Sequence, residues 1–215
     1  IVINGKPIEY VTETKYLGLY IDNMLNFKYH MDKLASKINS KLIAFRRISK
    51  FLPEKALSKM YKTKIEPAID YGITIWGHTS SHTQKTAKRL QHMSARIIKQ
   101  NFDFINVRGE NLIKELQWTD FESRLKYHTA LIMYKATHGL APDHINDLIM
   151  FCFELHDHNT RNMSDMNLVV PKVSKDTFRQ SLQYSGVVTW NSLSERVKQA
   201  KSIGSFKTLF KSEYF

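Results

Sequence analysis

The chain has 215 residues, 42% of them hydrophobic, enough for one sizeable core or two small ones and too many for a chain disordered by charge or low complexity. Its 32 lysines and arginines face 20 aspartates and glutamates, a formal charge of +12, and because basic side chains alternate with aromatics throughout, the expected partner is nucleic acid ahead of a membrane surface; the plainer alternative is a charge kept for solubility. The only cysteine, Cys152, excludes an internal disulfide and makes a reducing intracellular compartment the expectation, while the longest apolar run, Leu148 to Phe153, is too short to cross a bilayer and no signal-peptide pattern opens the chain.

The sequence starts at Ile1 inside a β-like run without an initiator methionine, as expected of a piece of a longer polypeptide. Ile1 to Ile3, an Asn4-Gly5 turn and an extended piece around Ile8 to Val11 read as a hairpin. The run Lys15 to Asp22 alternates Leu17, Leu19 and Ile21 with Tyr16, Gly18 and Tyr20, which predicts one strand with an aliphatic face. It needs a sheet to pair with, either upstream or formed by the hairpin. From Asn26 the period turns helical, with Phe27, Met31, Leu34, Ile38, Leu42 and Phe45 on one stripe and Lys33, Lys37 and Lys41 along its border. Pro53 opens a second helix whose apolar positions continue through Pro67 to Trp76, predicting a kinked helix or two abutting ones ended by Gly77. Further helices are expected over Thr83 to Lys99, Phe121 to His138 (stopped by Gly139 and Pro142) and His144 to Phe153. Between Glu154 and Gln183 the pattern is polar loop with one strand-like piece, Leu168 to Val170. Helical signals return at Trp190 to Lys198 and after Ser202, an N-cap candidate.

The segment Lys15-Tyr16-Leu17-Gly18-Leu19-Tyr20-Ile21-Asp22, followed by Leu25, Phe27 and His30, resembles the segment after the catalytic aspartates in jockey-like LINE (non-LTR) retrotransposon reverse transcriptases, with Phe27 where tryptophan is usual. The resemblance runs on through Leu90-Gln91, Arg96-Ile97-Ile98, Leu116-Gln117-Trp118, Arg124, His128, Tyr134-Lys135, His138-Gly139-Leu140-Ala141-Pro142, His158-Asn159-Thr160-Arg161, Trp190-Asn191-Ser192-Leu193 and Ser205-Phe206-Lys207. Ser94-Ala95 and Ser194 depart from the family pattern. No single motif is specific; their order over most of the chain carries the likeness. The resemblance implies a primer grip at the palm–thumb junction; physically, Gly18 lacks a Cβ and would let a nucleic-acid backbone approach, with Tyr16 and Tyr20 flanking the gap. A glycine that merely eases sheet twist is the simpler reading of the residues alone.

The family's polymerases need Mg²⁺ held by converging carboxylates, and this chain has no Asp-Asp step anywhere. It is therefore expected to contain no catalytic residue, no metal site and no cofactor of its own. Asp120 and Glu122 fit a helix start and Asp22 a turn or cap. Cys152, His156 and His158 lack the fourth ligand a structural zinc site requires. The string His156-Asp157-His158-Asn159 only faintly resembles a His-Asn nuclease, and the eight glycines form no phosphate loop.

From Lys85 to Lys99, helical spacing gathers Lys85, Lys88, Arg89, His92, Arg96 and Lys99 on one face and Ala87, Leu90, Met93, Ile97 and Ile98 opposite, with no acidic residue on the basic side. Like charges at helical spacing repel, so phosphate contact is the favoured reading and a plain solvated face the other. The fold expected is mostly α: an N-terminal β-hairpin remnant of a palm sheet over residues 1–24, a helical thumb over 25–101 and a helical C-terminal domain over 102–215. The nucleic-acid contacts expected are Tyr16, Gly18, Lys33, Lys37, Lys41, Lys85, Lys88, Arg89, His92, Arg96 and Lys99. The partners implied are RNA and DNA, as template–primer duplex and element RNA, together with the fingers and palm of the same polypeptide and no membrane; the parent element would act in nucleus and cytoplasm. A self-contained basic helical RNA-binding module comparable to a maturase thumb, or a degenerate inactive copy, are the alternatives.

Overall fold

The computed structural model describes residues 2–3, 5–7, 9–154 and 166–215. Ile1, Asn4, Ile8, the string His156-Asp157-His158-Asn159 and the motif running on to Thr160-Arg161 lie outside the described residues.

The chain is mostly helical, with β-hairpins at its N-terminus. β1 (Val2–Ile3) and β2 (Lys6–Pro7) pair antiparallel, Val2 opposite Pro7. The run expected as one strand is itself a hairpin: β3 (Glu13–Tyr16) and β4 (Leu19–Asp22) pair with Tyr16 opposite Leu19 and Glu13 opposite Asp22. Leu17 and Gly18 form the turn at φ 45° and 85°, two positive values in succession, which is the turn twist that suits a tight hairpin. Leu17, Leu19 and Ile21 therefore do not share a face. Leu17 stands exposed at the tip, Leu19 is buried in the core, and Ile21 packs against that core. Asp22 acts as a cap: its carboxylate accepts from the backbone N–H groups of Met24 (3.1 Å), Asn26 (3.1 Å) and Phe27 (2.7 Å), fixing the entry to the first helix.

That helix, α1 (Lys28–Ile48), buries His30, Met31, Ala35, Ile38, Leu42 and Phe45, the stripe its period dictates. The kinked helix is broken twice, into α2 (Glu54–Lys64), α3 (Glu66–Asp70) and α4 (Ile73–Trp76). Pro67 cannot donate to the preceding turn, and Gly72, at φ 64°, makes the second break. α5 (Ser81–Lys99) starts at a capping box between Ser80 and Thr83 and packs along α1. α6 (Gly109–Glu115) has no counterpart in the expected elements. It can approach α5 because Gly109 has no side chain: a Cβ there would sit 2.4 Å from the His92 ring. α7 (Phe121–Thr137) begins at Asp120, expected as a favourable charge at a helix start; its side chain also caps the helix by accepting from Ser123 N.

Beyond α7 the expected helix over His144 to Phe153 is replaced by α8 (Asp143–Asn146) and a 3-10 turn at Cys152–Glu154. Phe151 between them is extended and bridges antiparallel to Leu168, which satisfies backbone groups that a helix would have paired internally. α9 (Asp176–Arg179) and α10 (Leu182–Asn191) occupy part of the expected loop. The helix expected from Trp190 to Lys198 is split between the end of α10 and α11 (Glu195–Lys198). α12 (Ile203–Tyr214) starts where expected, with Ser202 accepting from Ser205 N.

Among the described residues, two hydrophobic cores result. The first runs from Leu19 to Leu125 and the second from Ala130 to Phe210, so α7 is shared: Phe121 and Leu125 serve one, Ala130, Met133 and Tyr134 the other. In the first, Trp118 stacks on Tyr61 at 3.8 Å and donates to Ser58 Oγ at 2.8 Å. Arg124 on α7 is buried and reaches Glu66 at 2.8 Å and Asp70 at 3.5 Å on α3. Burial pushes the Glu66 carboxyl up, with Arg124 opposing. In the second, Trp190 donates to Met166 O at 2.7 Å. Asn191 accepts from Leu168 N and donates to Leu168 O, standing in for a neighbouring strand. The buried Lys198 ammonium donates to Asn167 Oδ1 (2.7 Å) and Glu195 Oε1 (3.0 Å).

Candidate nucleic-acid interface

The Leu17-Gly18 turn is held down by Tyr71, whose hydroxyl donates to Leu17 O at 2.5 Å. A Cβ on Gly18 would lie 3.3 Å from the Tyr71 ring, so this glycine serves both the turn's positive φ and a close aromatic neighbour. The turn, α1 and α3 enclose a groove of about 430 Å³ lined by Lys15, Gly18, Tyr20, His30, Lys33, Lys37 and Tyr71 among others, none of them acidic. Gly18, Lys33 and Lys37 of the expected contacts thus come together, with Tyr20, which was expected beside the Gly18 gap. Lys15 was not among them; it lies across the ladder from Tyr20 with its ammonium 5.5 Å from that ring. Lys33 similarly sits 5.1 Å from Tyr29, contacts that orient the lysines without neutralising them. Tyr16 is exposed on β3 but does not line the groove. Lys41 is committed elsewhere, its ammonium donating to Lys64 O at 2.9 Å, at the carbonyl end of α2, where a cation is favoured. His30 is buried, accepts from Tyr20 N at 3.4 Å, and is held below the ordinary imidazole value by that burial.

The basic face of α5 is less uniform than its periodicity suggests. Acidic partners arrive from other elements: Lys88 pairs with Glu122, Lys99 lies 3.1 Å from Glu54 and 3.8 Å from Glu115, and His92 lies 3.9 Å from Glu110. Burial and the cations Arg96 and Lys88 hold the His92 imidazole low against the pull of Glu110. Arg96 is turned inward and 5% exposed. Its guanidinium donates to Asn101 O (3.5 Å), Asp103 O (2.9 Å) and Val107 O (2.5 Å), because the α5–α6 loop folds over the C-terminal half of the helix. Met93, placed on the apolar side by the sequence, is partly exposed at the border of the basic face. Lys85 and Arg89 remain exposed and line a polar groove with Ser36, Asn39 and Ser40 of α1, where Asp32 and His82 meet at 3.1 Å. The two grooves share α1.

Among the described residues, no group of three or more His, Cys, Asp or Glu side chains is placed to hold a metal ion, and no helix is long and apolar enough to cross a membrane. No family model and no solved structure matches the chain. Two curated relatives match in part. One is the retrovirus-related Pol polyprotein from the type-1 retrotransposable element R1 of Bradysia coprophila, 30% identical over 80 residues, which are 36% of this chain and 8% of that protein. The other is the probable RNA-directed DNA polymerase from transposon X-element of Drosophila melanogaster, 26% identical over 101 residues, 46% of this chain and 11% of that protein. The matched part of the chain thus spans about a tenth of the length of either relative. With the ordered motifs of the sequence, these partial matches support the likeness of the chain to a fragment of a LINE-type (non-LTR) retrotransposon reverse transcriptase.

Proposed function

We propose that the chain is the nucleic-acid-binding C-terminal part of an RNA-directed DNA polymerase of a non-LTR retrotransposon. Residues 1–24 end the palm, 25–101 form the thumb and 102–215 a C-terminal helical domain, with α6 and the first half of α7 buttressing the thumb. The Mg²⁺ ions and their carboxylates would belong to the preceding palm of the same polypeptide. The observation that carries this reading is the acid-free groove in which the Gly18 turn meets Lys15, Lys33 and Lys37, with exposed Lys85 and Arg89 across α1. Phosphates spaced along one strand suit cations so arranged, and such contacts position a duplex without reading its sequence.

The test is affinity for duplex DNA over a range of salt. The log of the association constant should fall linearly with log salt, by about 0.9 per phosphate neutralised. Lys33→Gln with Lys37→Gln, and separately Lys85→Gln with Arg89→Gln, should each weaken binding to every sequence and flatten that slope. Unchanged affinity and slope in both double variants would refute the reading. Lacking an Asp-Asp pair, the chain alone should incorporate no labelled nucleotide with any template, primer or metal, and incorporation by the purified chain would equally overturn it. One observation favours the self-contained module instead: the hairpin buries Leu19 in the chain's own first core, so that side chain needs no upstream sheet to cover it. An encoded aromatic-Ala-Asp-Asp run shortly upstream of Ile1 would decide for the polymerase.

A further inference from the structure

The loop between α5 and α6 displays apolar side chains on a backbone that is firmly held. Phe104 is 62% exposed and Ile105 93%, yet Arg96 clamps the loop through three carbonyls. Asp103 closes it from within, its carboxylate accepting from Ile105 N (3.0 Å), Asn106 N (2.9 Å) and Asn106 Nδ2 (2.9 Å). A loop with this many internal bonds does not expose a phenyl ring through looseness. The Arg96 guanidinium lies 4.4 Å from the centroid of the Phe104 ring, fixing the ring by a cation–π contact. Phe104 and Met93 then form the apolar part of a depression of about 480 Å³ whose other lining side chains are all basic, Lys85 and Arg89 among them. Lys88 and His92 have acidic neighbours, whereas Lys85 and Arg89 are exposed.

We infer that this depression holds one base of an unpaired nucleic-acid strand, stacked on Phe104, with the adjoining phosphates on Lys85 and Arg89. The inference rests on the nucleic-acid-binding reading above and narrows it: α5 meets a single strand here, not only a duplex. A rigid aromatic ring backed by a guanidinium and rimmed by cations accepts any base through its π-face and its phosphate through charge. The interior of a duplex cannot use the ring, because its bases are already stacked on one another. Nothing in the lining distinguishes ribose from deoxyribose, so RNA and DNA strands should be held alike.

The test compares an unpaired oligouridylate, the matched oligothymidylate and a long DNA duplex, whose interior sites far outnumber its two ends, as probes of the whole chain. Phe104→Ala should weaken binding of both unpaired strands by about tenfold and leave the duplex within about twofold, with the salt slope unchanged. Phe104→Trp should restore the loss. Its indole emission should be quenched by the unpaired strands and not by the duplex, over the constant signal of the buried Trp76, Trp118 and Trp190, a readout that stands even if the alanine variant proves poorly folded. Binding of single strands that ignores Phe104→Ala, or an equal loss for the duplex, would overturn the inference and leave the proposed function standing. A parent chain that binds none of the three probes would overturn both.

Discussion

Replacing Arg96 by glutamine tests whether its guanidinium is a structural clamp or a phosphate ligand. The side chain is 5% exposed and joins three loop carbonyls and one phenyl ring. Glutamine can reach one of those carbonyls at most, so the loss is about two charge-assisted hydrogen bonds and the ring contact. Charge-assisted bonds contribute about 1.5–3 kcal/mol each and the ring contact about 0.5–1 kcal/mol. Two terms reduce that sum: the bonds are only part-buried, so water replaces some of the loss, and removing a buried cation recovers its desolvation cost. The expected net cost is therefore about 2–3 kcal/mol, a fall in melting temperature of roughly 4–12 °C for a chain of this size. Arg89→Gln, at an exposed position on the same helix, should change stability by no more than about 0.5 kcal/mol. Urea denaturation followed by far-UV circular dichroism measures both. If Arg96→Gln matches Arg89→Gln in midpoint, the inward clamp is wrong and Arg96 returns to the surface face on which helical spacing alone puts it.

Gly18→Ala should cost about 1–2 kcal/mol in the same assay, since an L side chain resists the left-handed region and its Cβ would press on Tyr71; Leu17→Asn, at φ 45° with the side chain exposed, should gain about 0.5 kcal/mol, and an unaffected midpoint for Gly18→Ala would argue against the two-residue turn. Acidification should destabilise the chain: burial holds the imidazoles of His30 and His78 below their ordinary value of 6.5, so the unfolded chain takes up protons that the folded one refuses. Stability is then full above about pH 6.5 and declines as pH falls through it. The raised Glu66 carboxyl pulls the other way, nearer the carboxylate range. His78→Gln should flatten the decline, and a urea midpoint that rises between about pH 7.5 and 5.5 would contradict the assignment.

The long elements were legible because their period is imposed by the core they face. In α1 the expected Met31, Ile38, Leu42 and Phe45 are buried and Leu34 is half-buried beside buried Ala35, and the helix-start signals at Asp120 and Ser202 are local chemistry that needs no tertiary partner. The hairpin tip was not legible. Leucine at positive φ is uncommon, and the alternation of Leu17, Leu19 and Ile21 imitates a continuous strand, so only Gly18 hinted at the turn. α10 was hidden for a different reason. Gly186, Val187, Val188 and Thr189 are poor helix formers, and the segment is helical because it packs on α7, where a Cβ at Gly186 would come within 2.6 Å of Met133 Sδ.

On α5, the sequence grouped the cations by helical spacing and misjudged which of them are free of acidic partners. A helical wheel places side chains about one axis and knows nothing of what other elements bring to it. Glu54, Glu110, Glu115 and Glu122 lie on three different helices, yet all meet α5, and the loop that captures Arg96 follows α5 directly in the chain. The face is therefore interrupted: Lys88 is paired with Glu122 between the exposed Lys85 and Arg89. Towards the N-terminus, Lys85 and Arg89 look across to polar side chains of α1. Towards the C-terminus, Arg96 and Lys99 are occupied by the packing of α6, α2 and the loop between α5 and α6. Any polyanion that approaches α5 is accordingly drawn to Lys85 and Arg89, which are exposed, and less to Lys88 beside them, which is already paired with Glu122 within the fold.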